Sequence, residues 1–259
     1  MAIMVFDIET IPDTVTGKLV NKVSSDFSEI DTVKIMQCIN RQKKQGSEFL
    51  PHYLQKIVAI SVLVQDKDNI KIWSLGDLED VEAKLLERFF HGLDLYQPTL
   101  VSWNGSGFDL PVIHYRSLLH KVVSKTYWEV GDHRTDFKWN NYINRYHYRH
   151  MDVMDLLSGY QKGSAASLNN IAIMLGMPGK MVLTADQVLN CYLEQDLLKI
   201  RNYCEIDVLN TYLIFLRMQY IRGSIDQQEY ANLQQLLTKQ LTKINLPHFN
   251  EFMDSWQRS

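Results

Sequence analysis

The chain has 259 residues, 46% of them hydrophobic and 22% charged, a balance that suits a soluble globular protein and excludes a disordered one. Its formal net charge of −3 excludes a protein that holds nucleic acid mainly through a strongly basic surface, but not one that uses metal ions and a local basic groove. No apolar run is long enough to span a membrane, and no basic stretch precedes an apolar one at the N-terminus, so neither an anchor nor a signal peptide is expected. Cys38, Cys191 and Cys204 lie far apart with no C-x-x-C pair, which points to reduced thiols in a cytoplasmic protein.

Ile3-Met4-Val5-Phe6 has the length and composition of a buried strand, and Asp7 and Glu9 follow at its C-terminal end. On a strand, a spacing of two sends both carboxylates to one face, where they repel unless a cation lies between them. Hard ions such as Mg²⁺ and Mn²⁺ prefer oxygen ligands and suit that role. Alone, an Asp-x-Glu is more often a strand running into a polar turn.

Residues 12 to 54 read as a long insertion with some helix, punctuated by Pro12, Gly17, Gly46 and Pro51, and basic between Lys34 and Lys44. Lys56 to Gln65 is β-branched and reads as a buried strand. Asp66 to Asn69 is a turn, and Ile70 to Leu75 alternates as the next strand, giving a three-strand meander that is antiparallel at least in its last pair. Val81, Leu85, Phe89 and Leu93 recur at helical spacing between Leu78 and Leu95. Thr99 to Trp103 is a further strand, and Phe108 to Val123 a helix with apolar Leu110, Ile113, Leu118 and Leu119. The turn Asn104-Gly105-Ser106-Gly107 then lies at a strand's C-terminal edge, where open α/β sheets bind ligands.

From 125 to 150, Tyr127, Trp128, Phe137, Trp139, Tyr142, Tyr146 and Tyr148 interleave with Lys125, Arg134, Lys138, Arg145 and Arg149. That stretch reads equally as a stacking and phosphate groove for a single strand or as core material, its positive charge diluted by Glu129, Asp132 and Asp136. His150 to Asp155 is expected to be a strand, Gly159 to Ser164 a loop, and Ser167 to Leu175 a short helix capped by Ser167 and closed by Gly176. Gln187 to Arg217 is strongly helical with a break near Asp196. Residues 224 to 244 form a polar amphipathic helix, packed or solvated, and Pro247 begins a tail. With no internal repeat and no low-complexity linker, one domain over residues 1–259 is the better count, its last part (224–259) a C-terminal helical extension.

Two further carboxylates sit in apolar settings. Asp109 opens a helix that follows a strand, where a capping role is the ordinary one. Tyr203 and Asp207 are four apart on a helix and share a face, and the apolar Ile200, Cys204, Ile206, Val208 and Leu209 around them argue that Asp207 does not face open water.

Taken together and in this order, F-D-I-E-T (6–10), W-N-G-S-G-F-D (103–109) and Y-C-E-I-D (203–207) resemble the three motifs of DEDD-type 3′–5′ exonucleases. The tyrosine four residues before the last aspartate matches the DEDDy branch. The whole chain looks like stand-alone relatives of the proofreading exonuclease domain of family B DNA polymerases, over roughly residues 1 to 223. W-N-N-Y-I-N-R-Y (139–146), H-M-D-V-M-D (150–155) and Leu175 to Lys180 are included. The resemblance implies an α/β fold of the ribonuclease H-like kind, a mixed central sheet flanked by helices. It implies two divalent ions, Mg²⁺ or Mn²⁺, held by Asp7, Glu9, Asp109 and Asp207. Asp7 would bridge both ions, Glu9 and Asp207 would complete the site that activates water, and Asp109 would hold the second ion, through water. Tyr203, with an ordinary pKa of about 10, would orient the attacking water rather than act as base. Thr10, Ile11, Asn104, Gly105 and Phe108 would meet the terminal nucleotide, the glycines of the turn allowing close approach. His150 and Asp152 belong to the pattern in structural roles.

The implied activity is hydrolysis of single-stranded 3′ ends to nucleoside monophosphates, DNA favoured over RNA. An exoribonuclease is the alternative, and a non-catalytic nucleic-acid-binding module of the same fold the reading from another class. A proofreading role would need a separate polymerase or repair partner. One departure stands out: members often carry an Asp-Gly turn shortly after the Pro-Gly-Lys segment, where this chain has Val182-Leu183-Thr184-Ala185-Asp186, and this bears on substrate contact or loop mobility near Lys180.

Overall fold

Residues 2–43, 48–179 and 185–257 are described by a computed structural model. The expectations for Gly46, Lys180 and Val182 to Thr184 lie outside them. The elements in chain order are β1 (Ile3–Pro12), α1 (Thr14–Asn21), α2 (Glu29–Lys43), β2 (Gln55–Asp66), β3 (Asn69–Ser74), α3 (Glu82–Tyr96), β4 (Thr99–Ser102), α4 (Asp109–His120), β5 (His150–Asp152) and α5 (Val153–Leu157). They are followed by α6 (Leu168–Met174), α7 (Ala185–Leu193), α8 (Leu197–Ile221), α9 (Gln227–Ile244) and α10 (Pro247–Gln257). The sheet order is β3-β2-β1-β4-β5. The first three strands pair antiparallel, while β4 and β5 run parallel to β1. The result is a mixed central sheet flanked by helices, an α/β arrangement.

Strand periodicity explains the layering. Met4, Phe6 and Ile8 point to one face of the sheet and pack in a core with Leu86, Phe89 and Phe90 of α3 and Val112 and Ile113 of α4. Val5 points to the other face and packs with Val208, Leu209 and Tyr212 of α8. Asp7 and Glu9 continue that second set, so the alternation that builds the core also aims both carboxylates at α8. Ile11, next in the series, packs with Cys204, Ile200 and Val188. The β1–β2 register slips by one residue after Glu9, at Val58.

Several boundaries differ from those read from sequence. β1 runs on to Pro12, because β2 pairs with its whole length, so Asp7 and Glu9 lie inside the strand. Val81 precedes α3 and is 70% exposed, and Leu118 on α4 is 76% exposed, so neither belongs to the buried stripe. Leu119 is exposed as well. Only His150–Asp152 forms a strand; Asp152 then caps α5, accepting from the Asp155 N–H, and helix replaces the expected strand. The tail from Pro247 is helical, and Phe249 and Phe252 of α10 enter the core beside α8 and α9.

Ser167 caps α6 as the sequence places it, and the break near Asp196 is real, with Asp196 capping α8; each accepts from the amide three residues on. The insertion between β1 and β2 is tied to the sheet by a buried ionic network. Arg116 donates to Asp13 at the end of β1 (2.5 Å) and to both oxygens of Glu82 (2.7 and 2.5 Å), and Glu82 also accepts the Ile57 N–H of β2. Among the described residues no helix is long and apolar enough to cross a membrane, and Cys38, Cys191 and Cys204 are free thiols.

Candidate active site

Three elements meet where β1 outruns its parallel neighbour. β4 pairs with β1 only through Val5, so the ladder ends one residue before Phe6. The Ile8 N–H instead donates to Asp109 Oδ1, 3.2 Å away, at the first turn of α4. Asp109 is therefore set against the backbone between Asp7 and Glu9. On the α8 side, single ligand atoms of Asp7, Glu9 and Cys204 all lie within 4.8 Å of one another. Asp207 is one helical turn beyond Cys204 and is 2% exposed. Its charge acts on both Asp109 and Cys204. The structure thus brings Asp7, Glu9, Asp109 and Asp207 into one cluster. Tyr203 is buried at the neighbouring position of α8.

The electrostatics of that cluster call for a cation. Burial pushes the Asp109 carboxyl up to about 7, and the facing Asp152 and Asp207 add to the shift against the lowering effect of backbone N–H groups. Burial also raises the Cys204 thiol well above its ordinary value, reinforced by Asp7 and Glu9. The donor set is carboxylate oxygen with one neutral thiol, which suits hard divalent ions.

The turn into α4 is held from beneath. Asp152, buried at the end of β5, accepts the Asn104 N–H at 2.9 Å and the Ser106 N–H at 2.8 Å. His150, whose imidazole burial lowers to about 4, shares a hydrogen bond with Ser102 at 2.8 Å. These are the structural roles expected of that pair. Asn104 itself takes the left-handed backbone (φ 61°) that the reversal needs, a conformation asparagine tolerates. The glycines have a different reason than the one read from sequence. Gly105 is buried and a Cβ there would run into the Ser102 side chain, while one at Gly107 would approach Asn104 Oδ1 to 2.5 Å. Internal packing, not only room for a ligand, requires them.

The other expected contact residues are dispersed. The Thr10 hydroxyl donates to Gln55 Oε1 at 3.1 Å, and the Ile11 side chain is buried in the core, leaving only its backbone for a ligand. Phe108 is half-buried beside Asp109, its ring in contact with those of Phe49 and His52. Of the 125–150 stretch, Tyr127, Phe137 and Tyr142 are core, and the buried Arg149 lies 3.9 Å over Phe137. Trp139, Tyr146 and Tyr148 are exposed, and Arg145 grips Asp155 through two hydrogen bonds. A cavity of about 750 Å³ separates this stretch from the 104–107 turn, with His52, His114 and Arg145 on its walls.

Residues that the sequence reading did not single out complete the picture. Cys204 donates to the Asp7 carbonyl at 3.4 Å and sits 3.6 Å from its carboxylate. Its place one turn before Asp207 was a legible signal. Glu205, the remaining acid of the third motif, turns away: it accepts from Ser74 at 2.7 Å and pairs with His248 of α10 at 2.8 Å. Nothing local in sequence pairs Glu205 with a residue 43 positions on.

A family model described as "Predicted 3'-5' exonuclease related to the exonuclease domain of PolB" matches residues 47–256, a span that holds Asp109, Tyr203 and Asp207 and begins after Asp7 and Glu9. No curated protein matches. Among solved structures, the family B DNA polymerase from the hyperthermophilic archaeon Pyrobaculum calidifontis aligns at 12% identity and a TM-score of 0.47. The alignment covers 83% of this chain and 25% of that one. The family match spans well over half of the chain, which therefore belongs to the predicted 3′–5′ exonucleases related to the exonuclease domain of PolB.

Proposed function

We propose that the protein is a metal-dependent 3′–5′ exonuclease that removes nucleoside monophosphates from single-stranded 3′ ends, DNA in preference to RNA. The observation that carries this reading is the convergence of Asp7 and Glu9 from β1, Asp109 from α4 and Asp207 from α8 into one acidic cluster. Four acids buried or half-buried together disfavour the metal-free fold, so a pure binding module has no use for them. They would hold two divalent ions, Mg²⁺ or Mn²⁺, which when bound lower the pKa of water and stabilise the leaving oxygen of an in-line displacement.

The protein's own groups do the rest. Asp7, Glu9 and Asp207 would hold the ion that makes water acidic enough to attack, and Asp109 would help to hold the second, which supplies charge to the leaving oxygen. The Tyr203 hydroxyl orients the water. Thr10, the Ile11 backbone, Asn104, Gly105 and Phe108 hold the terminal nucleotide. The carboxylates otherwise repel, so metal binding is coupled to the stability of the fold.

Digestion of 3′- and 5′-labelled DNA and RNA oligonucleotides in parallel tests the proposal. Mononucleotides released from 3′ ends only, with Mn²⁺ or Mg²⁺ and not with a chelator, are expected. Asp7→Ala is expected to lower the rate by about 10³-fold or more. Internal cuts, or activity that survives Asp7→Ala, would sink it, and faster RNA cleavage would replace DNA with RNA as substrate.

A further inference from the structure

The insertion between β1 and β2 carries an aromatic surface that the carboxylate site does not explain. Phe49 is 58% exposed, yet its position is fixed. The Asn40 side chain of α2 donates to the Phe49 carbonyl at 2.9 Å, and the next residue, Leu50, is buried with Met36 and Leu54 and accepts from Gln55. A large apolar ring held outward by a buried amide and a buried neighbour is presented, not left over. The ring lies 5.6 Å from that of Phe108, one residue before Asp109, and the His52 ring lies 5.7 Å from Phe108. His52 is also on the wall of the cavity that borders Asn104 and Ser106. The surface therefore begins at the metal-site turn and extends away from it along the insertion.

We propose that Phe49 and His52, continuing from Phe108, form a stacking shelf for bases of a single-stranded nucleic acid next to its 3′-terminal nucleotide. The inference rests on the nuclease reading above and adds the path of the strand. Base–aromatic stacking is sequence-tolerant, because every base has a π-face, and contributes enough per base to hold a strand that must shift by one nucleotide after each cleavage. Phe49 is more than half exposed and tilted by 60° against Phe108, so it offers accessible aromatic surface to a base beside that ring. Continuity with the carboxylate cluster favours a nucleic-acid strand over a protein segment as the occupant.

The test uses the full-length chain carrying Asp7→Ala, so that strands are bound and not degraded, and oligonucleotides with 2-aminopurine one position in from the 3′ end. Quenching of the 2-aminopurine emission on binding is expected. Adding Phe49→Ala should remove the quenching and weaken binding about tenfold or more, for strands of three or more nucleotides and not for a mononucleotide. Phe49→Trp should restore both. Because Phe49 is exposed, its melting temperature should match that of the parent. Unchanged quenching and affinity in Phe49→Ala would overturn the shelf, as would an equal loss for the mononucleotide, which would mean a deformed site. If the wild-type chain cuts no substrate with Mn²⁺, the nuclease reading fails, and the quenching still decides whether the shelf binds a strand.

Discussion

The Ile8 amide donates to Asp109 Oδ1, which locks the first turn of α4 to the middle of β1 between Asp7 and Glu9. One hydrogen bond across 101 residues of sequence brings two halves of the acidic cluster together. It also places Asp109 where its own charge is costly.

That cost has a pH signature. With the Asp109 carboxyl raised from 3.8 to about 7, the folded, metal-free protein keeps a proton that the unfolded chain has already released. Stability therefore falls as pH rises through that window, since the native state binds more protons. The melting temperature without metal is expected to be lower at pH 8 than at pH 5.5, with Asp109→Asn flattening the difference. Millimolar Mn²⁺ should raise the melting temperature at pH 8 and do so less in Asp109→Asn. A pH-independent melting temperature with no metal response would contradict the assembled cluster.

Asp152→Ala leaves the amides of Asn104 and Ser106 without their buried acceptor. A loss of roughly 2–3 kcal/mol in stability is expected from denaturant titration. Activity should fall by about 10²-fold, because the turn that aims Asp109 loses its support. A stability loss with full activity would show that the turn holds its shape alone.

Arg116→Met is predicted to be among the most destabilising single changes. It strands Asp13 and Glu82, both buried, and unties the insertion from α4. About 3–5 kcal/mol is expected, or a fall in melting temperature on the order of 10 °C. A shift within a degree or two would mean that water replaces the guanidinium.

Tyr203→Phe separates orientation from assembly. If the hydroxyl orients water, kcat should drop by roughly 10- to 100-fold while KM and the Mn²⁺-dependent thermal shift stay near wild type. A change in KM alone would move Tyr203 to substrate binding.

Much of this molecule is legible in its residues because strand and helix periods are local. The alternation Val5, Asp7, Glu9 announces that two carboxylates share a face, and Tyr203 with Asp207 announces a second shared face on α8. Local chemistry also marks the breaks: Ser167 caps its helix as the sequence implies, and the helix read as broken near Asp196 does break there. The misplaced boundaries have one cause: Val81, Leu118 and Leu119 obey the helical period, and only the packing partners decide which part of an apolar stripe is covered. The same holds for the tail from Pro247, whose helix is stabilised by burying Phe249 and Phe252 against elements far back in the chain.

What only the tertiary structure decided is which of these faces meet. That β1 outruns β4, so that Asp109 closes on Ile8, depends on strand order and length. That Cys204 enters the acidic cluster while Glu205 leaves it to anchor α10 depends on the rotation of α8 against the sheet. That the insertion sets Phe49 and His52 beside Phe108 depends on Arg116 and Asn40 bridging separate elements. Sequence periodicity sets which way a side chain points along its own element, whereas the distance between elements is set by the shared core that holds them.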